Sequence, residues 1–148
     1  MLRNGPIVLT KDNFIVIKGI KELCAEAEVV IDRLPADEAI GLAGDEDVLF
    51  VDIRDVRELW RDGTIPGAFH APRGMLEFWV DPESPYGKAI FQSGKRFVFF
   101  CAGGMRSALA TRAVQEMGLA PVAHIEGGFG AWVKAGGPVE QRPQERKA

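Results

Sequence analysis

In the stretch FVFFCAGGMRSALAT, residues 97 to 111, four apolar residues lead into a lone thiol, two glycines, an arginine and a serine, and then helix-forming sequence. The apolar run reads as a buried strand, which puts Cys101 at the strand's carboxyl end, where open α/β sheets bind ligands. Gly103 and Gly104 let the backbone curl so that successive N–H groups turn inward as an anion nest, and a helix beginning near Ser107 adds the positive end of its dipole. Such surroundings lower a thiol's pKa from its free value of about 8.5 and favour the thiolate, the nucleophilic form. Arg106 has the forked donors to receive an anionic substrate. The plainer alternative is a buried cysteine packing at a strand end, with Arg106 on the helix surface.

The rest of the chain must supply the frame that holds this loop. Ile20, Leu23, Cys24 and Ala27 form a helical stripe, VVIDRL (29–34) reads as a short strand, and PADEAIGLAG as a short helix entered through Pro35. VLFVDI (48–53) is a second buried strand. Asp55 with Glu58 three residues on has the form of a capping box, opening a helix through Trp60 that stops at Gly63. IPGAFHAP predicts a turn and a short extended piece. Residues 74–96 begin with an aromatic helical turn and pass into a loop broken by Pro82, Pro85 and Gly87. After FVFF come a helix over SALATRAVQEM closed by Gly118, a strand at PVAHI, and a last helix over FGAWVKAG. Strands separated by helices predict a central parallel sheet with helices on both faces.

Composition narrows the function classes. With 148 residues, 47% of them hydrophobic, the chain can build one domain with a proper core. We expect an N-terminal helical extension at 1–28, the main domain at 29–140 and a polar, disordered tail at 141–148. The net charge of −3 comes from interspersed charges, which favours neither nucleic acid nor a membrane surface as partner. No apolar run has the length of a membrane span, and FIVIKGI is interrupted by Lys18, so a soluble, cytoplasmic protein is expected. Cys24 and Cys101 form no C-x-x-C, and His70 and His124 have no ligand spacing with them, so neither a disulfide framework nor a metal site is expected.

CAGGMRS resembles the active-site loop of the rhodanese (thiosulfate sulfurtransferase) family, whose single-domain members carry a C-x-x-G-x-R-S/T pattern. VDIRDVRELWRDGTIPGAFHAP is similar to the family's N-terminal motif and EGGFGAW (126–132) to its C-terminal one, so the likeness runs from about residue 30 to 140. Two departures stand out: Thr64 replaces the histidine common in G-H-I-P-G-A, and residues 74–96 are longer and more aromatic than the usual connector. The resemblance implies a rhodanese-like fold and a sulfurtransferase without metal or organic cofactor. Cys101 would be its catalytic residue, taking sulfane sulfur from a small anionic donor such as thiosulfate and holding it as a persulfide. Ala102, Gly103, Gly104, Met105, Arg106 and Ser107 would form the substrate-binding loop. The acceptor would be cyanide or a thiol, including a protein thiol.

Loop length bears on two rival chemistries. Cysteine-dependent phosphatases and rhodanese-related arsenate reductases resemble C-x5-R, a ring sized for a tetrahedral oxyanion, whereas here four residues separate Cys101 from Arg106. A catalytically idle rhodanese module that binds partners is a third reading, against which the retained cysteine argues. Asp52 and Arg54, at the end of the neighbouring strand, either brace the loop through a charge pair with Arg106 or only cap local structure. Arg73 either lines the mouth of the site or is a solvated surface residue. His70, His124 and Cys24 read as structural, and Phe78, Trp79, Tyr86 and Phe91 as ordinary packing or a wall over the site.

Overall fold

A computed structural model describes residues 16–145. The first fifteen residues of the expected N-terminal extension and the last three of the expected tail lie outside the described residues. In chain order the elements are α1 (Ile20–Val30), β1 (Asp32–Leu34), α2 (Ala36–Ile40), β2 (Val48–Asp52), α3 (Val56–Asp62), β3 (Phe69–His70), α4 (Leu76–Val80), β4 (Arg96–Phe100), α5 (Met105–Glu116), β5 (Val122–Ile125) and α6 (Gly128–Lys134). Single 3-10 turns at Arg73–Met75 and Ala89–Gln92 flank α4 on either side.

The five strands form one parallel sheet in the order β1-β5-β4-β2-β3. From β2 the chain steps outward to β3, then returns to lay β4 on the other side of β2. The carboxyl ends of β2 and β4 therefore flank the point where the winding reverses, the usual ligand position in an open parallel sheet. Asp52 is paired with Phe100 there, so the loops starting at Ile53 and Cys101 leave the sheet side by side.

Strand alternation explains both cores. On β4, Phe97 and Phe99 face one side with Val51 of β2, Leu76 and Val80 of α4, Phe91, and Ala110 and Val114 of α5. Val98 and Phe100 face the other side with Phe50, Ala39 of α2, and Phe129 and Trp132 of α6. Each phenylalanine so buried contributes about 2 kcal/mol by area transfer. The predicted sheet with helices on both faces is what the structure shows.

The strand expected at VVIDRL forms only over its second half. Val29 and Val30 end α1 and are exposed, and only Asp32–Leu34 pair with β5. The β-branched run favours a strand locally, but α1 is fixed by packing Cys24 and Ala27 inward, and that tertiary contact overrides the propensity. The predicted stripe on α1 is also narrower than its four residues: Ile20 and Leu23 remain partly exposed. In 74–96 the aromatics divide. Phe91 is buried and Trp79 packs against Phe69, whereas Phe78 and Tyr86 face outward.

Candidate active site

The loop after β4 is shaped by two sets of hydrogen bonds acting on opposite sides of its backbone. On the outside, the Phe129 amide donates to the Cys101 carbonyl (2.8 Å) and the Gly130 amide to that of Ala102 (3.0 Å). These bonds turn the carbonyls toward the start of α6 and away from the thiol. On the inside, the Gly104 amide donates to Cys101 Sγ at 3.1 Å and the Ser107 amide at 3.3 Å. The Ser107 hydroxyl lies 3.5 Å from the same sulfur. Amides of Ala102, Gly103, Met105 and Arg106 have no acceptor among the described residues.

Two glycines make this approach feasible. Gly104 has φ +99°, a left-handed conformation unfavourable to residues with a Cβ. Gly128 has φ +62°, and a Cβ there would stand 2.5 Å from the Cys101 oxygen and 2.8 Å from the Ala102 carbonyl carbon. The motif EGGFGAW thus holds the cysteine loop from outside, with Trp132 anchored in the core beneath and donating from Nε1 to the Pro138 carbonyl (2.7 Å).

Arg106 is engaged, but not with the residues the sequence suggested. Its guanidinium takes Glu58 in a two-point grip, Nη1–Oε2 2.9 Å and Nη2–Oε1 3.1 Å. Glu58 Oε2 also accepts from the Asp55 amide (3.0 Å), while the Asp55 carboxylate caps α3 by accepting from the Arg57 amide (2.9 Å), completing the predicted capping box. Arg106 and the Asp55 amide hold the Glu58 carboxyl below the usual glutamate range, Arg106 being the larger cause.

The expected charge pair with Arg106 does not form, because Asp52 and Arg54 neutralise each other. Arg54 donates from Nε (3.0 Å) and Nη2 (2.7 Å) to Asp52, and from its own amide to Asp52 Oδ1 (3.1 Å). Both residues are fully buried. Thr64, where the family commonly has histidine, donates its hydroxyl to Asp52 Oδ2 at 2.7 Å. Arg54 Nη2 reaches the Gly63 carbonyl (2.7 Å), and its guanidinium lies 4.6 Å from the centre of the Phe129 ring. The network ties the end of β2 to the start of α6, which in turn holds the cysteine loop. Arg73, in the 3-10 turn before α4, is paired at 2.6 Å with Glu77 in the first turn of α4. A cleft of about 380 Å³ beside Ala102 is lined by Arg54, Asp62, Ala102, Phe129, Gly130 and Val133, and Arg73 is not among its walls.

His70 Nε2 bonds to the Arg54 carbonyl (2.7 Å). Cys24 is buried on α1, donates weakly to the Met105 carbonyl (3.6 Å), and burial pushes its thiol up. His124, fully buried on β5, has Nδ1 2.9 Å from Ser107 Oγ. Sequence reading missed Glu58 as the partner of Arg106, and it missed the contact between His124 and Ser107. Both join residues far apart in the chain, and neither leaves a local signature.

An open parallel α/β sheet with a cysteine loop at its switch point is a known architectural class. Within that class the chain belongs to the rhodanese family: the rhodanese-like domain model matches residues 35–135. A sulfurtransferase of Allochromatium vinosum is 32% identical over 98 residues, 66% of this chain and 83% of that one. A thiosulfate sulfurtransferase/rhodanese-like domain-containing protein of Mus musculus is 28% identical over 101 residues, and the match spans 65% of this chain and 64% of the mouse protein. Among solved structures, a Rhodopseudomonas palustris protein of unknown function, described as a possible tyrosine phosphatase, superposes with a TM-score of 0.82. It is 60% identical, over 86% of this chain and 98% of that one.

Proposed function

We propose that the protein is a sulfurtransferase that moves sulfane sulfur from thiosulfate or a similar anionic donor to a thiol or cyanide, with Cys101 as the carrier. The observation that carries this reading is the small loop around Cys101 Sγ, where the Gly104 and Ser107 amides reach the sulfur itself at 3.1 and 3.3 Å. A ring closed this tightly fits one further sulfur atom, and the amides of Ala102, Gly103, Met105 and Arg106 supply donors for its negative charge.

In the first half-reaction the Cys101 thiolate attacks the outer sulfur of thiosulfate. The sulfur–sulfur bond of the donor breaks, and sulfite leaves with the electron pair, giving Cys101–S–S⁻. In the second, the acceptor attacks the terminal sulfur, and Cys101 leaves as a thiolate into the same amide donors. We assign this unit to residues 29–140, between an N-terminal extension and a polar tail; α1 crosses the first boundary and packs on α5. Chemistry that needs a free thiolate fits a reducing cytoplasm.

A second reading, hydrolysis of aryl phosphates, is favoured by the description of the R. palustris relative. Against it stand the four-residue spacing and the guanidinium of Arg106, which is turned onto Glu58 rather than over the sulfur. Parallel assays separate the readings: thiocyanate formation from thiosulfate and cyanide, and release of nitrophenol from its phosphate. We expect the first activity and not the second. Aryl phosphate turnover without thiocyanate would replace this proposal with the hydrolase, and the absence of both would leave a binding module.

A further inference from the structure

Ser107 Oγ has three neighbours it can bond: the Gly104 carbonyl at 3.4 Å, Cys101 Sγ at 3.5 Å and His124 Nδ1 at 2.9 Å. A serine in the first turn of a helix tends to bond a carbonyl of its own turn, which here would be Gly104. The shortest contact goes instead to a histidine on another element. His124 sits on β5 between β1 and β4, fully buried, so its ring cannot move aside. Burial pushes its pKa down to about 4, so it is a neutral imidazole with a single proton. Nε2 has no hydrogen-bond partner among the described residues, and Glu28 Oε1 stands 3.8 Å from it, beyond bonding distance.

We propose that His124 is a positioning residue for Cys101: it holds the Ser107 hydroxyl toward the sulfur, so that the thiolate receives a third donor beside the two amides. The inference rests on the reading of Cys101 as the working thiol. With the sulfur ionised, the chain of donors runs Nδ1–H to Oγ and O–H to S⁻, which fixes the tautomer with Nδ1 protonated. The third donor matters most when Cys101 is the leaving group. At that step negative charge returns to a sulfur buried away from water, and preorganised donors count for more there than in solvent. Removing His124 lets Ser107 fall back on the Gly104 carbonyl, and the sulfur loses that donor.

The charged and titratable groups around the pair come from several elements. Glu28 and Cys24 on α1, Arg33 on β1 and Glu126 after β5 face His124 or its surroundings, while Arg106 on α5, Asp52 on β2 and Glu58 on α3 lie around the loop. None of them bonds Ser107 Oγ. The effect of His124 on the thiol should therefore pass through Ser107 alone.

The test is the rate of iodoacetamide alkylation of Cys101, followed on its own peptide by mass spectrometry, at pH 7 and at pH 10. His124→Leu should slow alkylation about three- to tenfold at pH 7, the value of one hydrogen bond. At pH 10 the rate should match that of the unaltered protein. His124→Asn, which keeps an amide donor near the Nδ1 position, should restore most of the pH 7 rate. In a Ser107→Ala background, His124→Leu should change nothing further. Equal slowing at both pH values, full additivity of the two substitutions, or a folded His124→Asn no better than His124→Leu would each overturn the proposal. Alkylation does not depend on sulfur transfer, so a protein that shows this pattern yet never takes sulfur from thiosulfate would overturn the sulfurtransferase reading and leave the role of His124 standing.

Discussion

Arg106 and Glu58, 48 residues apart in the chain, meet through two parallel hydrogen bonds of 2.9 and 3.1 Å. Because Glu58 also closes the capping box at Asp55, the first turn of α3 and the first turn of α5 are clamped together. One end of the cysteine loop is thereby fixed to the β2–α3 connection, and the other is the end of β4 itself. The arginine that sequence reading assigned to an incoming anion has its fork already filled.

Arg106→Ala should therefore impair an anionic and an uncharged sulfur donor alike, by a factor on the order of ten in kcat/KM. Thiosulfate compared with an uncharged organic polysulfide gives the measurement. A loss confined to thiosulfate would show that the guanidinium leaves Glu58 and meets the donor directly.

Gly128→Ala places a methyl group 2.5 Å from the Cys101 carbonyl oxygen, at a φ that alanine disfavours. The loop must shift, and with it the amides that hold the sulfur. We expect sulfur transfer to fall at least a hundredfold while the far-UV circular dichroism stays native, since the sheet does not depend on this contact. Activity near that of the unaltered protein would refute the role given to the start of α6.

Asp52 and Arg54 form a buried pair, so removing one partner strands the other's charge. Asp52→Ala should cost about 3–5 kcal/mol in unfolding free energy by urea titration. A cost under about 1 kcal/mol would mean that water reaches Arg54 freely.

The acid limb of stability should carry the signature of His124. Its folded pKa is about 4, below the ordinary value of 6.5, so the unfolded chain takes up a proton that the fold refuses. The linkage is absent above pH 6.5; from there down to pH 4 it should remove about 3 kcal/mol. Comparing the protein with His124→Asn, which has no titrating group at this site, isolates the effect: the difference in unfolding free energy should change by that amount across this window and be flat above it.

Much of this arrangement was legible in the sequence, where each signal is local. FVFF announces β4, Asp55 and Glu58 announce the start of α3, and the glycines after Cys101 announce a loop in which amides converge. What escaped were relations set by the packing of distant elements. Nothing around Ser107 points to His124 on β5, and Asp52 is a natural partner for Arg106 until the structure shows Arg54 beside it. VVIDRL misled because its residues prefer strands, while the packing of Cys24 and Ala27 decides in favour of α1.

The most direct measurement is the intact mass of the protein after incubation with thiosulfate and removal of excess donor, with peptide mapping of any adduct. The unaltered protein and Cys24→Ser should each gain the mass of one sulfur atom, on Cys101, and lose it on addition of cyanide. Cys101→Ser should gain nothing. A folded protein that takes up no sulfur, or takes it up on Cys24, would contradict the account.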